Sequence, residues 1–438
     1  MAISRQVRRK LVPGVDRLEP RQLLSMMSEQ PGTAPLLAPA LVAPATSAPH
    51  TSAATTSSTV TGLHFVTSPN VPYAGLNATS EDAPNDVWAV GSFLNTSTNL
   101  TTPLVEHFDG TSWKAVQTPS LPSGVSGQLL SVAAVSPTNV WAVGNSTGTL
   151  IEHWDGHTWS IFPSPSVGAA GSLNAVTATP DGDVWAVGAA GGVNLIEHFN
   201  TATQSWVVVP SPTPRNSHLS GVSGTSSGDV WAVGSDGRST ADQVQILHWN
   251  GQTWSAVTAP SPGLEPFLSS VVALAPNNAW AVGSTFLPIS SSASAHQTVI
   301  EHWDGTSWSV VSSPNAGGGS TNLLNGVAAV SANNIWAVGE FLDPNANNYQ
   351  TLTEHFDGTS WSVVPSPNAT TGSNGLRGVT ALSSNGDVVA VGGANSANNQ
   401  GSTDLILANN EPIGSAPVPP TNPPPSPPPS GGGGGIVD

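Results

Sequence analysis

A short apolar element recurs along this chain, and its spacing restricts the possible folds more than any other feature of the sequence. The element reads Val-Trp-Ala-Val-Gly, with a variable first residue. Its tryptophans are Trp88, Trp141, Trp185, Trp231, Trp280 and Trp336. A seventh copy, Val388–Gly392, has valine in place of tryptophan. Successive copies lie about 50 residues apart, a period typical of propeller blades and other repeat architectures.

Each repeat contains four segments with the pattern of short strands. In the second repeat the first segment is the apolar run Leu129–Val135, and the second is the tryptophan element. The third ends in Glu-His-Phe or Glu-His-Trp, and the fourth begins near a Thr-Ser-Trp sequence. The Asp-Gly pair between them favours a tight hairpin, because both residues tolerate a positive φ. The sequence therefore predicts an all-β, seven-bladed β-propeller with four antiparallel strands per blade.

The last repeat lacks a fourth strand at its C-terminal end. It supplies the segments Leu376–Leu382, Val388–Gly392 and Asp404–Ala408, and the chain then enters a proline-rich tail. The segment Gly62–Asn70, which precedes the first full repeat, matches the fourth-strand sequence Trp308–Asn315. We therefore expect the N-terminal strand to close the last blade, because closure removes the two free sheet edges of an open array.

Composition divides the chain into four parts. Residues 60–411 form the expected propeller, residues 1–27 are basic, residues 28–59 are rich in Pro, Ala, Ser and Thr, and residues 412–438 are rich in Pro and Gly. We expect the linker and the tail to be disordered, since they contain too little apolar surface to bury. No apolar run is long enough to span a bilayer.

Charge and cysteine content exclude several classes of function. The formal net charge is −17, and most of the 10 lysines and arginines precede residue 22. An acidic propeller repels phosphate backbones, so we expect no nucleic-acid partner. The absence of cysteine removes disulfides, thiolate catalysis and Cys-ligated zinc.

The repeat resembles the kelch repeat of β-propeller proteins. The segment Phe199–Trp206 places an aromatic residue and a tryptophan on either side of a turn, and Gly392-Gly393 provides a diglycine after an apolar strand. The other copies have a single glycine and a shorter Asp-Gly turn. The kelch-like resemblance covers residues 60–411 and implies the propeller fold. It implies little about function, because propellers host many unrelated activities.

The N-terminus carries a second resemblance. The segment Arg17–Ser25 reads Arg-Leu-Glu-Pro-Arg-Gln-Leu-Leu-Ser. It is similar to the LEPR-XLL segment of planctomycete proteins. This resemblance implies that residues 1–27 direct a bacterial protein to export or surface display.

A histidine recurs at one position of the third strand in six repeats. These residues are His107, His153, His198, His248, His302 and His355. Equivalent positions of different blades lie far apart around a ring, whereas metal ligands must converge within about 2 Å of one ion. We therefore expect no metal site, and we interpret each histidine as a scaffold residue hydrogen-bonded between blades.

One face of the propeller is expected to carry longer and more variable connections than the other. This variable face holds the connections between strands two and three and between strands four and one, including the segment Ser284–Ile300. Off-pattern polar residues on it are the candidate ligand-binding residues Arg215, His218, Asp236, Arg238, Asp242 and Tyr349. The alternative is that they are ordinary solvated loop residues.

No recognisable catalytic pattern is present, so we predict no catalytic residue and no cofactor. The sequence favours a monomeric, non-enzymatic binding module that is secreted or displayed on a bacterial surface. Its ligand would be a polysaccharide or a protein bound on the variable face. Two alternatives stay open: a carbohydrate-active hydrolase or lyase on a propeller scaffold, and a passive structural spacer.

Overall fold

The computed structural model describes residues 62–83, 85–165, 171–212, 216–237, 243–290, 293–317, 320–383, 385–396 and 401–409. The predictions made for residues 1–27, 28–59 and 412–438 lie outside these residues and stay predictions. Within the described ranges, no helix has the length and apolar character needed to cross a membrane.

The strands are numbered β1 to β28 in chain order, and the first, β1 (His64–Phe65), belongs to the last blade. Blade 1 contains β2 (Ala74–Ala83), β3 (Asp86–Asn95), β4 (Leu100–Phe108) and β5 (Trp113–Val116). Blade 2 contains β6 (Gln128–Ser136), β7 (Asn139–Asn145), β8 (Thr149–Trp154) and β9 (Trp159–Ile161). Blade 3 contains β10 (Gly171–Ala178), β11 (Val184–Ala190), β12 (Val193–Asn200) and β13 (Ser205–Val208).

The remaining blades repeat this order. Blade 4 contains β14 (His218–Ser226), β15 (Asp229–Ser235), β16 (Val244–Trp249) and β17 (Trp254–Ala256). Blade 5 contains β18 (Leu264–Ala275), β19 (Asn278–Ser290), β20 (Ala293–Trp303) and β21 (Trp308–Val311). Blade 6 contains β22 (Asn322–Ser331), β23 (Asn334–Asp343), β24 (Asn348–Phe356) and β25 (Trp361–Val363). Blade 7 contains β26 (Asn374–Ala381), β27 (Val388–Asn395), β28 (Ser402–Ala408) and β1.

This arrangement confirms the seven-bladed propeller with four antiparallel strands per blade. The N-terminal strand also takes the predicted place. It pairs antiparallel with β28, with His64 opposite Ala408 and Phe65 opposite Leu407. The Val66 amide continues the ladder by donating to the carbonyl of Ile406 at 3.0 Å.

Blades are held together by a hydrophobic cluster at each of the seven blade-to-blade contacts. The second-strand tryptophans of blades 1 to 5 pack against aromatic rings of the following blade, whereas Trp336 of blade 6 packs against aliphatic residues of blade 7. Trp185, for example, lies 5.0 Å from Trp249 and 5.5 Å from Trp254, measured between ring centroids. The repeated tryptophans are therefore contacts between blades as well as core residues within them.

Replacing one of these tryptophans should destabilise the whole ring. We expect Trp185→Ala to lower the free energy of unfolding by about 3–5 kcal/mol, because it removes a large buried ring and leaves a cavity. Denaturant titration followed by circular dichroism measures this change, and Trp185→Phe should retain most of the stability. A loss for Trp185→Ala below about 1 kcal/mol would contradict the packing described here.

The ring of each recurrent histidine lies against the tryptophan of its own blade. Trp141 and His153 have ring centroids 4.1 Å apart, and His153 Nε2 lies 2.9 Å from Asn139 Oδ1. In blade 4, His248 Nε2 lies 2.6 Å from Asp229 Oδ1. The expected bond between blades is wrong, because the partner is the Asp or Asn two positions before the tryptophan of the same blade. Among the described residues, no three His, Cys, Asp or Glu side chains form a cluster that could hold a metal ion.

Glutamates of the third strands are buried. Glu106, Glu152, Glu197, Glu301 and Glu354 have no solvent-exposed surface. Burial raises the pKa of four of these carboxyl groups to about 8 and that of Glu197 to about 7, from an ordinary value of 4.5. Hydroxyl groups of the preceding blade donate to two of them: Ser164 to Glu197 at 3.0 Å and Ser313 to Glu354 at 2.9 Å.

The segment Ser284–Ile300, expected as a long loop, is largely a paired hairpin. Strands β19 and β20 stay in register from Ala279 opposite Trp303 to Pro288 opposite Ser294. The connection on the variable face is consequently a β-arm extending from blade 5.

Candidate functional site

The six sequence-predicted site residues do not form one described cluster. Arg215, Arg238 and Asp242 lie outside the described residues, so the blade 4 site stays a prediction. Two further candidates belong to the same blade. His218 is exposed at the start of β14, and Asp236 is buried just after β15, where its carboxylate accepts from the Gln243 amide at 3.1 Å.

Tyr349, the sixth candidate, lies in blade 6 near a different part of the variable face. Its backbone amide donates to the Ser373 hydroxyl at 3.3 Å. Ser373 precedes β26 and lines a groove between blades 7 and 1. The structure thus brings one predicted residue to the edge of a concavity that the sequence did not indicate.

The groove between blades 7 and 1 has a volume of about 260 Å³. It opens where two innermost strands each have a glycine before the leucine that recurs in every blade: Gly75 in β2 and Gly375 in β26. The other blades carry larger residues at this position: Gln128, Ser172, His218, Phe267 and Leu323. The groove exists because these two blades lack a side chain there.

A β-bulge in every innermost strand points one residue towards the axis of the ring. The ladder between strands one and two shifts register just after the recurrent leucine in all seven blades. The extra residue is released from regular pairing, as bulged residues are. These bulge residues are Asn77, Leu130, Asn174, Ser220, Ser269, Asn325 and Arg377, and all line a central channel of about 470 Å³.

Three bulge asparagines fasten neighbouring blades. Asn77, Asn174 and Asn325 each donate through the side-chain amide to the recurrent leucine carbonyl of the next blade, at 2.7 to 2.8 Å. Arg377 joins blades 7 and 1 at the ring closure through a different acceptor: its Nη1 donates to the side-chain oxygen Oδ1 of Asn77 at 2.9 Å. The two residues are 300 positions apart in the chain and meet only because the ring closes.

Arg377 stands where three cavities meet. It lines the central channel, the groove between blades 7 and 1, and a space of about 420 Å³ at the channel mouth. The side chain is exposed and is the one lysine or arginine that lines any of these cavities in the described part of the chain. A single cation is therefore placed at the entrance of the channel.

Glu340 lies beside this cation, in β23 of blade 6. Its carboxylate covers Gly375 so closely that a Cβ atom at position 375 would lie 2.0 Å from Oε2. Burial raises the pKa of Glu340, and the nearby Arg377 counteracts part of that increase. Glycine at position 375 thus creates the space in which the carboxylate sits.

Tyr73 forms an aromatic wall of the groove. Its backbone amide donates to the Ser402 carbonyl at 2.7 Å, and its own carbonyl accepts from the Leu94 amide at 3.1 Å. These bonds hold the residue at a positive φ of 58°. The ring remains 40% exposed, and Phe93 lies nearby in the lining.

The groove combines an aromatic ring, one cation, one carboxylate and small polar groups. Hydroxyl and amide groups come from Ser92, Thr101, Ser373, Asn395 and Ser402. Such a surface can bind a polar chain through stacking and hydrogen bonds. Glycoside hydrolysis requires two carboxylates on either side of the bond, and Glu340 is the one carboxylate among the described residues of the lining.

Sequence reasoning missed this site although its signals are visible in the repeat. Glycine precedes the recurrent leucine only in Gly75-Leu76 and Gly375-Leu376, and Arg377 is the one charged residue at the bulge position. A search for off-pattern residues in the sequence alone favours charged loops, whereas here the decisive change is the loss of a side chain. Only the three-dimensional adjacency of blades 7 and 1 joins these signals.

Comparison with known proteins supports the fold. No protein-family model and no curated protein sequence matches this chain. The solved structure of YCF48 bound to a D1 peptide has a TM-score of 0.50 at 15% identity, covering 79% of this chain and 94% of that one. The structure of U3-55K has a TM-score of 0.52 at 9% identity, covering 79% and 98%. YCF48 from Cyanidioschyzon merolae has a TM-score of 0.49 at 14% identity, with the same 79% and 98%.

The similarities to the peptide-bound YCF48 and to U3-55K support the propeller fold and nothing finer, because both identities are low. The kelch-like subtype and the LEPR-XLL segment stay predictions from sequence.

Proposed function

We propose that this protein is a non-enzymatic binding module that holds a polysaccharide chain in the groove between blades 7 and 1. One observation carries the proposal: the side chains that the other blades carry at this position are absent at Gly75 and Gly375, where the groove opens. The resulting groove is lined by an exposed tyrosine, hydroxyl groups, one cation and one carboxylate. The N-terminal segment suggests that the module acts outside a bacterial cell.

The lining favours a polysaccharide over a protein ligand. Sugar rings present a flat face for stacking and many hydroxyl groups, which match Tyr73 and the polar groups around it. Protein interfaces instead tend to have an apolar core with aromatic and methionine anchors. A solved propeller of similar fold is bound to a peptide, so a protein ligand is the alternative outcome of the test.

Filling the groove should abolish binding without disturbing the fold. We expect Gly75→Leu to lower retention on polysaccharide gels by at least about tenfold, because the new side chain occupies the ligand's space. Leucine fits the backbone here, since a Cβ atom at position 75 has Arg377 Nη1 at 3.6 Å as its nearest neighbour. Blade 6 already carries Leu323 at the same position.

The measurement is affinity electrophoresis of the full chain through neutral and uronate-containing polysaccharides. Gln128→Leu is the control, because it places the same leucine side chain at the corresponding position of blade 2, away from the groove. Equal retention of Gly75→Leu and wild type would contradict the proposal, as would binding to peptides alone. Release of shortened or unsaturated sugars would instead favour the hydrolase or lyase alternative.

A further inference from the structure

The bulge position of blade 7 carries a charge that the scaffold does not require. In blades 1, 3 and 6 an asparagine amide is sufficient to fasten the next blade. Blades 2, 4 and 5 have Leu130, Ser220 and Ser269 at this position and close without any such amide. An asparagine or glutamine could therefore join blade 7 to blade 1, and a guanidinium group at this position needs another explanation.

The guanidinium group has hydrogen-bonding capacity that the protein leaves unused. A guanidinium carries five N–H donors, and among the described residues the hydrogen-bond partner of Arg377 is Asn77. The side chain is exposed at the junction of the groove and the channel mouth. Arginine binds carboxylates with a planar, two-point geometry that fixes orientation as well as charge.

The neighbouring carboxylate restricts which anion fits. Glu340 lines the same groove as Arg377, so a ligand must bring a negative group to one and a hydrogen-bond donor to the other. A carboxylate next to hydroxyl groups satisfies both. Sugar acids carry this combination on a single ring, and the ring can also stack on the exposed face of Tyr73.

We propose that the groove selects uronate residues, with Arg377 binding the sugar carboxylate and Glu340 accepting a hydrogen bond from an adjacent sugar hydroxyl. This inference rests on the proposed polysaccharide-binding function and names the ligand class of the same site. The acidic character of the protein as a whole makes the preference specific: with a net charge of −17, non-specific attraction of polyanions is not expected.

The test compares acidic polymers with their own methyl esters. Full-length protein is titrated at about 0.15 M salt, where the screening length is about 8 Å and the overall negative charge is largely screened. The probes are polygalacturonate, alginate, the methyl ester of each, and a sulfated glucan. We expect at least about tenfold tighter binding to the acids than to the esters, which is the effect of one charge-assisted pair.

Two variants separate charge from scaffold. Arg377→Gln keeps an amide that can reach Asn77 but removes the cation, and it should bring acid and ester to equal affinity. Glu340→Gln keeps the shape of the carboxylate, and it should weaken acid and ester alike. The melting temperature of each variant, compared with wild type, verifies that the ring remains closed.

Failure of the uronate inference differs from failure of the proposed function. Equal binding of acid and ester by wild type, an unchanged acid preference in Arg377→Gln, or equally tight binding of the sulfated glucan would overturn the inference while leaving polysaccharide binding intact. Absence of binding to every polymer, with no effect of Gly75→Leu, would overturn both.

Discussion

Raising the pH from about 5 to 8 should progressively destabilise this propeller. The five buried glutamates have pKa values raised by burial from the ordinary 4.5 to about 7 or 8. Below pH 4.5 each carboxyl is protonated in both the folded and the unfolded chain. Between pH 4.5 and 8 the unfolded chain releases the proton and the folded chain retains it, so rising pH favours unfolding. Above this window the folded carboxyl ionises too, and the dependence levels off.

Other groups oppose this trend and set the pH of greatest stability. Burial lowers the pKa of His153, His302 and His355, so their contribution decreases as pH falls below about 6.5. Hairpin aspartates have pKa values lowered to about 2 by hydrogen bonds, and their contribution is lost only below pH 3.8: Asp109, Asp304 and Asp357. Because the glutamates are more numerous and further displaced, we expect maximal stability near pH 5.

Glu152 provides the sharpest test, because both of its carboxylate oxygens are buried without a hydrogen-bond partner among the described residues. Each pKa unit corresponds to about 1.4 kcal/mol, so this group alone should change the free energy of unfolding by on the order of 4 kcal/mol across the window. Denaturant titrations of wild type and Glu152→Gln at several pH values measure the difference. The variant should lose about that much of the pH dependence.

A second variant controls for packing. Blade 4 carries Leu247 opposite Ala232, where blade 2 has Glu152 opposite Ala142. Glu152→Leu should therefore fold and show the same reduced pH dependence as Glu152→Gln. If wild type and both variants lose stability in parallel between pH 5 and 8, the assignment to this carboxyl is wrong.

Removing the N-terminal strand should destabilise the ring more than any single core substitution. A chain that begins at residue 71 lacks β1 and with it Leu63, which is 5% exposed and packs against Trp336 and Leu407. The deletion removes this buried side chain and the backbone ladder to β28, and it leaves β28 as an open edge. We expect a loss above about 5 kcal/mol and aggregation on warming.

Point substitutions in β1 and at the residue before it distinguish burial from simple chain length. Leu63→Ala should cost about 2–5 kcal/mol because the side chain is buried between blades 6 and 7. Phe65→Ala, two residues later, should cost far less, since Phe65 is 45% exposed. Thermal unfolding of the two variants beside the deletion measures the contrast. Equal melting temperatures for the deletion and the full chain would contradict closure by β1.

The blade structure was predictable because the same packing and turn requirements select similar residues at equivalent positions of successive blades. Tryptophan recurs where a second strand must fill the space against the next blade, and Asp-Gly recurs where a hairpin must turn. The match between Gly62–Asn70 and the other fourth strands even indicated how the ring closes. Because the pattern recurs along the chain, the fold could be predicted even where single copies depart from it, as in the last blade.

The functional site was not predictable by the same reasoning. Gly75 and Arg377 are separated by most of the propeller in sequence, and each departs from the repeat pattern in a different blade. Their adjacency depends on ring closure, and the groove depends on missing side chains, which composition does not reveal. The histidine partners were misassigned for a related reason: a repeat shows that a side chain is needed at a position but not which blade satisfies it.

The bulges also make the channel mouth open to redesign. Each bulge residue stands outside the regular ladder, so its side chain can change while the strand pairing and the leucine behind it remain. The seven positions already carry four types of group: amide, hydroxyl, aliphatic and guanidinium. The seven bulge positions therefore surround one opening, and each can accept a different type of side chain. Ligand preference could be changed one bulge position at a time, with the cost of each change confined to that blade and the neighbour that its side chain contacts.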